Sequence, residues 1–126
     1  MILGIGTDIF EVARIKQAME KDPLFIKSVF TETEINYCHP RKRKEENYAA
    51  RYAAKEALMK ALGTGWRDGI KFTDIEIENN ELGKPEISLT GIAKQIADKL
   101  EVSTIHLSMS HTKEIANAFV IINSDK

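Results

Sequence analysis

The sequence predicts an α+β fold in which helices pack on a mainly antiparallel sheet. Three observations carry that reading. Residues 48–65, YAARYAAKEALMKALGTG, are dominated by Ala, Leu, Met, Lys and Glu, the strongest helix formers, and stop at glycine. Near the end of the chain, residues 103–110 alternate strictly and residues 115–122 form a continuous apolar run, with a polar turn at 111–114 that pairs them locally. Between these, residues 71–77 and 85–89 read as a hairpin around Asn79, Asn80 and Gly83.

Taken in order, residues 2–9 are β-rich, and glycines at 4 and 6 suit a buried strand that another backbone or a ligand approaches closely. The third glycine of a dinucleotide fingerprint is missing. Over residues 11–21, Val12, Ile15 and Met19 recur at helical spacing. Asp8 stands three residues before Glu11, where it can cap this helix or project from the strand end as an oxygen ligand for a hard cation. Asp22 and Pro23 break the helix, and Leu24, Phe25, Ile26, Val29 and Phe30 should be core. Thr31 and Glu34 form a capping box that opens a helix through Ile35 and Tyr37, ended by Pro40. Gly63 should close the long helix in a left-handed cap, and Gly65 loosens the chain before a loop at 66–69 with the only tryptophan. Thr90 can cap a helix at 91–100, whose Ile92, Ile96 and Leu100 lie four residues apart.

At 126 residues, 43% hydrophobic and 29% charged, the chain fits one ordinary soluble domain, residues 1–126, and two domains would each be too small. A chain this size buries roughly two thirds of its unfolded surface, so oligomerisation would help it. The net charge of −1 conceals a basic block, Arg41, Lys42, Arg43 and Lys44, directly before Glu45 and Glu46. Without a wider basic surface and interleaved aromatics, no nucleic-acid role is expected. Cys38 is the single cysteine, which excludes an intramolecular disulfide and points to a reducing compartment. The first ten residues are apolar but too short for a membrane span, lack a basic leader and contain Asp8, so the expectation is a cytoplasmic protein without membrane contact.

The long helix carries a candidate site. At about 100° per residue, Glu56 and Lys60 lie ~40° apart, while Leu58, Leu62, Ala54 and Ala61 group on the opposite side. Glu four residues before Lys also makes an ordinary surface ion pair. Ala49, Tyr52, Ala53 and Met59 flank the same face, however, and such neighbours suit a face pressed against something. A charged pair there needs a partner such as a metal ion or a phosphate.

Five segments, G-I-G-T-D-I-F-E-V-A-R-I at 4–15, F-T-E-T-E at 30–34, R-Y-A-A-K-E-A-L-M-K-A-L-G-T-G at 51–65, G-K-P at 83–85 and S-H-T at 110–112, together resemble the holo-[acyl-carrier-protein] synthase family of phosphopantetheinyl transferases. The resemblance implies an α+β trimer with active sites at subunit interfaces. It implies transfer of 4′-phosphopantetheine from coenzyme A to a serine of apo acyl carrier protein, releasing adenosine 3′,5′-bisphosphate, with Mg²⁺ on Asp8 and Glu56. By the same resemblance His111 serves the ribose phosphate, and Gly83, Lys84 and Pro85 lie near the nucleotide. Ser110 and Thr112 add hydroxyls beside His111. Breaking a diphosphate develops negative charge, so the site needs cations placed in advance, and Lys60 can offer one. Arg51 projects away from Glu56 around the helix, so a phosphate it touches would belong to a neighbouring subunit's site. The serine proton goes to Glu56 through water or to a metal-bound hydroxide, with Glu34 a candidate by its place in the family motif. Arg14, Lys16 and the basic block are candidates for docking an acidic carrier protein.

Overall fold

The computed structural model describes residues 1–64 and 68–126. Their order is β1 (Ile2–Glu11), α1 (Val12–Lys21), α2 (Phe25–Val29), α3 (Glu32–Cys38), α4 (Lys44–Leu62), a 3₁₀ turn (Phe72–Asp74), β2 (Ile75–Asn79), β3 (Pro85–Leu89), α5 (Gly91–Lys99), β4 (Thr104–His111) and β5 (Ile115–Asn123). The expected α+β class holds: β5 lies between β1 and β4 in one antiparallel sheet, and β2 and β3 form a separate antiparallel hairpin.

One face of the larger sheet packs on α4, and small residues decide how closely. A Cβ on Gly6 would sit 1.8 Å from the carbonyl oxygen of Ala57, and one on Gly4 would sit 2.0 Å from that of Ala61. The helix answers with Ala50, Ala53, Ala54, Ala57 and Ala61, all buried. The backbone that the two glycines were expected to meet is therefore that of α4. This helix begins at Lys44, ahead of the segment that propensity marks, because Glu45 and Glu46 in its first turn offset the basic residues at its positive end. It ends as expected, with Gly63 at φ 73° and the Thr64 amide bonded to the Met59 carbonyl at 3.0 Å. The readings placed on Gly65, Trp66 and Arg67 lie outside the described residues.

Several expectations are corrected. β1 continues past Ile9 to Glu11 because β5 pairs with it throughout, so Asp8 sits opposite Ala118 inside the ladder and caps nothing. The N-cap of α1 is Glu11, which makes no side-chain cap bond. Leu24 is 66% exposed, whereas Val29 and Phe30 are buried; a five-residue helix can bury only one side. The start of the 71–77 segment is a 3₁₀ turn, closed by Asp74 accepting from the Lys71 amide at 3.1 Å. In α5 the buried residues are Ala93 and Ala97, while Ile92 and Leu100 remain partly exposed, because small side chains allow the closer approach. Thr90 holds the N-cap position without a side-chain cap bond. His111 belongs to β4 and not to the turn after it.

The Thr31–Glu34 capping box forms, and Glu34 does more than cap. Its Oε1 accepts from the Thr31 amide at 2.8 Å and from Lys55 Nζ at 2.7 Å, and its Oε2 accepts from the Ile77 amide at 2.8 Å. Lys55 also donates to the carbonyls of Val29 and Phe72, and both side chains are fully buried. One ion pair thus ties α4 to the end of α2, to α3, to the 3₁₀ turn and to β2.

Candidate active site

Strand alternation puts Asp8 on the same face as Gly4 and Gly6, toward α4. Lys60 reaches across to it, with Nζ 3.1 Å from Asp8 Oδ1 and 2.9 Å from the Thr7 carbonyl oxygen. The surface pair between Glu56 and Lys60 is not made; Lys60 pairs with the strand instead. Glu56 lies one turn earlier on the same flank. Burial raises its pKa, and the like charge of Asp8 adds to the effect, while Tyr52, Lys60 and Arg14 oppose it. The Tyr52 hydroxyl, pushed up to about 12 by burial and then by Glu56, stays protonated and donates to that carboxylate. The Arg14 guanidinium stacks 4.7 Å from the centre of the Phe10 ring.

A divalent cation fits this arrangement, because it would relieve the repulsion between Asp8 and Glu56. No group of three or more His, Cys, Asp or Glu is placed to hold a metal among the described residues. A cation here would take two protein oxygens and complete its shell with water and ligand oxygens, the pattern Mg²⁺ favours.

A second cluster occupies the other flank of α4. Arg51 lies ~140° around the helix from Glu56 at about 100° per residue. Its side chain is buried; Nη2 donates to Asn79 Oδ1 at 3.2 Å, the guanidinium stacks on Tyr37 at 4.3 Å, and Nε has no hydrogen-bond partner among the described residues. Asn79 Nδ2 donates to the Tyr37 hydroxyl at 3.1 Å. Arg51, Asn47, Asn79, Gly83, Pro85 and His111 border a cavity of about 240 Å³. His111 Nδ1 lies 2.9 Å from Glu46 Oε1.

Residues 4–120 match the 4′-phosphopantetheinyl transferase superfamily. The chain belongs to that superfamily. The holo-[acyl-carrier-protein] synthase of Clostridium novyi (strain NT) is 49% identical over 125 residues, covering 99% of this chain and 90% of that protein. The holo-(acyl-carrier-protein) synthase of Bacillus anthracis str. Ames, solved in complex with CoA (3′,5′-ADP), matches with a TM-score of 0.81 at 40% identity, covering 99% of each chain. The holo-ACP-synthase of Plasmodium yoelii matches with a TM-score of 0.87 at 34% identity, covering 100% of this chain and 98% of that one.

In this transferase, then, Asp8, Glu56 and Lys60 converge on one flank of α4, and Arg51, Gly83, Pro85 and His111 converge on the other. Lys84 and Ser110 join neither group. Lys84 lines a smaller cavity with His106 on the far side of Pro85, and Ser110, adjacent to His111 in the strand, points to the opposite face of the sheet. The Thr112 hydroxyl accepts from the amides of Glu114 and Ile115, both at 3.2 Å, and so serves the turn. Glu34 is sealed inside the protein with both oxygens bonded, which removes it as an acceptor for a substrate proton. Tyr52, Asn79 and Glu46 complete the two clusters and are absent from the sequence-derived candidates. Tyr52 stands four residues before Glu56, a spacing that brings the two onto one helix flank; Asn79 and Glu46 meet their partners only through long-range packing.

Proposed function

We propose that this transferase is a holo-[acyl-carrier-protein] synthase, moving 4′-phosphopantetheine from coenzyme A to a serine hydroxyl of apo acyl carrier protein and releasing adenosine 3′,5′-bisphosphate. The observation that carries the reading is the convergence of Asp8 on β1 with Glu56 and Lys60 on α4, next to Tyr52, which lines an apolar cavity. Asp8 and Glu56 would hold Mg²⁺, which supplies a Lewis acid that draws charge from the diphosphate. Lys60, steadied by the Thr7 carbonyl, offers a point charge to the same phosphates. Glu56 would also take the serine proton through a water, with Tyr52 beside it to fix its orientation. As that proton leaves, the serine oxygen bonds to phosphorus and the bond to the departing bisphosphate breaks. An apolar cavity of about 530 Å³, lined by Phe25, Val29, Tyr52, Ile70 and Phe72, suits the uncharged arm of the substrate.

Arg51 and His111, with the backbone at Gly83 and Pro85, would take the nucleotide end. The two clusters stand on opposite flanks of α4, so one coenzyme A engages both only where two copies of the chain meet. The outer face of the larger sheet leaves Ile5, Ile9 and Phe119 between 41% and 67% exposed, and we assign it to the subunit contacts of a homotrimer with interface active sites. Lys84 and Ser110 would then reach the nucleotide from a neighbouring copy. The exposed Arg14, Lys16, Arg41, Lys42 and Arg43 would steer an acidic carrier protein. No described helix is long and apolar enough to cross a membrane; with Cys38 free, we place the reaction in the cytoplasm.

The test is mass spectrometry of an apo carrier protein incubated with this protein, coenzyme A and Mg²⁺. A phosphopantetheine adduct on the carrier serine is expected. Coenzyme A raising the melting temperature without any adduct would instead mark a binding module that has lost turnover.

A further inference from the structure

We propose that Glu46 is a positioning residue for His111, fixing the imidazole so that its far nitrogen donates to a phosphate oxygen at the nucleotide end of coenzyme A; this rests on the reading of His111 given above. His111 ends β4, paired with Ala116, and its side chain faces the first turn of α4. There Nδ1 lies 2.9 Å from Glu46 Oε1, and the Glu46 side chain is only 10% exposed against 34% for His111. An ionised carboxylate can only accept, so Nδ1 must carry a hydrogen. That leaves Nε2 as the one ring nitrogen free for the cavity shared with Arg51, Asn47, Gly83 and Pro85. To donate there Nε2 must be protonated too. A ring that donates from one nitrogen to a carboxylate and from the other to a phosphate forms a single line of charge-assisted hydrogen bonds.

Glu46 itself borders the neighbouring cavity, with Lys42, Arg43 and Lys113, and not the one that His111 enters. The Glu46–His111 contact is therefore part of the wall between two cavities, and Glu46 acts on a ligand only through the ring. Arg43 Nε, 3.9 Å from Glu46 Oε2, holds the carboxylate from the other side. The competing account is that Glu46 merely complements the positive end of α4, as any acid in a first helical turn does. That role would leave the imidazole free to turn.

The experiment measures coenzyme A dissociation constants by calorimetry for the wild type, Glu46→Gln, His111→Ala and the double variant, alongside ¹⁵N spectra of the histidine rings without ligand. Glu46→Gln should weaken binding about tenfold, the loss expected for one charge-assisted hydrogen bond. The double variant should bind no more weakly than His111→Ala alone. In the ¹⁵N spectra, Glu46→Ala, which leaves Nδ1 without an acceptor, should lose the Nδ1-protonated signature of His111. Wild-type affinity in Glu46→Gln beside a weakened His111→Ala, additive losses in the double variant, or an unchanged ring signature would each overturn the proposal. If His111→Ala itself binds like the wild type, the nucleotide-site reading of His111 falls and this inference falls with it.

Discussion

Replacing Lys55 by methionine should remove a large share of the stability of this protein. The side chain is fully buried, and its ammonium donates to Glu34 Oε1 at 2.7 Å, to the Val29 carbonyl at 2.8 Å and to the Phe72 carbonyl at 3.0 Å. Methionine keeps most of the volume and deletes the charge, so cavity formation contributes little to the loss. What remains is the Glu34 carboxylate, enclosed, with the Thr31 and Ile77 amides as its partners. Removing one member of a buried pair costs about 3–5 kcal/mol, against a total stability of about 5–15 kcal/mol for a domain. For a chain of 126 residues, at about 4 °C per kcal/mol, the melting temperature should fall by roughly 10–20 °C. Glu34→Gln should also destabilise, and Lys55→Met combined with Glu34→Gln should recover about 2 kcal/mol or more of the summed losses, because neither charge is then left alone. The assay is urea denaturation at one fixed protomer concentration, so that assembly contributes equally throughout. A loss below about 1 kcal/mol for Lys55→Met, or single-variant losses that add within about 0.5 kcal/mol, would refute the reasoning.

Glu56→Gln should fold, keep its coenzyme A affinity within a few-fold and lose the rise in melting temperature that Mg²⁺ should give the wild type; an unaltered response to Mg²⁺ would remove Glu56 from the proposed metal site. Gly6→Ala should destabilise by about 3 kcal/mol or more, since its methyl group would sit 1.8 Å from the Ala57 carbonyl oxygen and α4 must lift off β1 to admit it; a melting temperature near the wild-type value would contradict that approach. Burial holds the Cys38 thiol up at about 11 from its usual 9.0, so the folded state keeps a proton that the unfolded chain gives up first. The stabilisation is complete below pH 9 and is lost as pH rises through 11, so Cys38→Ala should lose about 2 kcal/mol less than the wild type over that interval; identical losses would exclude the thiol as the cause.

What could be read from the sequence follows the range of the interactions involved. The Thr31–Glu34 cap, the Gly63 stop and the pairing of the last two strands are set by neighbours in the chain, and all three form. The second role of Glu34 was hidden, because its other partners, Lys55 and Ile77, arrive from 21 and 43 residues away. Lys55 misleads for the same reason: a lysine in a helix reads as solvated, and only three acceptors converging from distant segments make its burial tolerable. At Asp8 the local signal pointed to a cap or a ligand equally, and pairing with β5 removed the cap. The face of α5 was misjudged because periodicity weighs side chains by size, whereas close packing selected Ala93 and Ala97.

The central helix explains why neighbouring residues carry such different tasks. Its alanines lie against β1 and β5, and the carbonyls of Ala57 and Ala61 fill the places where Gly4 and Gly6 lack side chains. That contact fixes the height of β1 above α4, and Asp8, two residues beyond Gly6 on the same strand face, inherits it. Turning around the axis, Glu56 and Lys60 look toward β1, Lys55 toward α3 and the 3₁₀ turn, and Arg51 toward the β2–β3 hairpin. Shifting α4 along its axis would therefore disturb the carboxylate pair, the buried ion pair and the Arg51 cavity together. On the proposed function, rigidity in α4 serves the chemistry as much as the fold: a metal shared by the Asp8 and Glu56 carboxylates would tolerate little change in their separation, and the glycine–alanine contact beside them sets that separation.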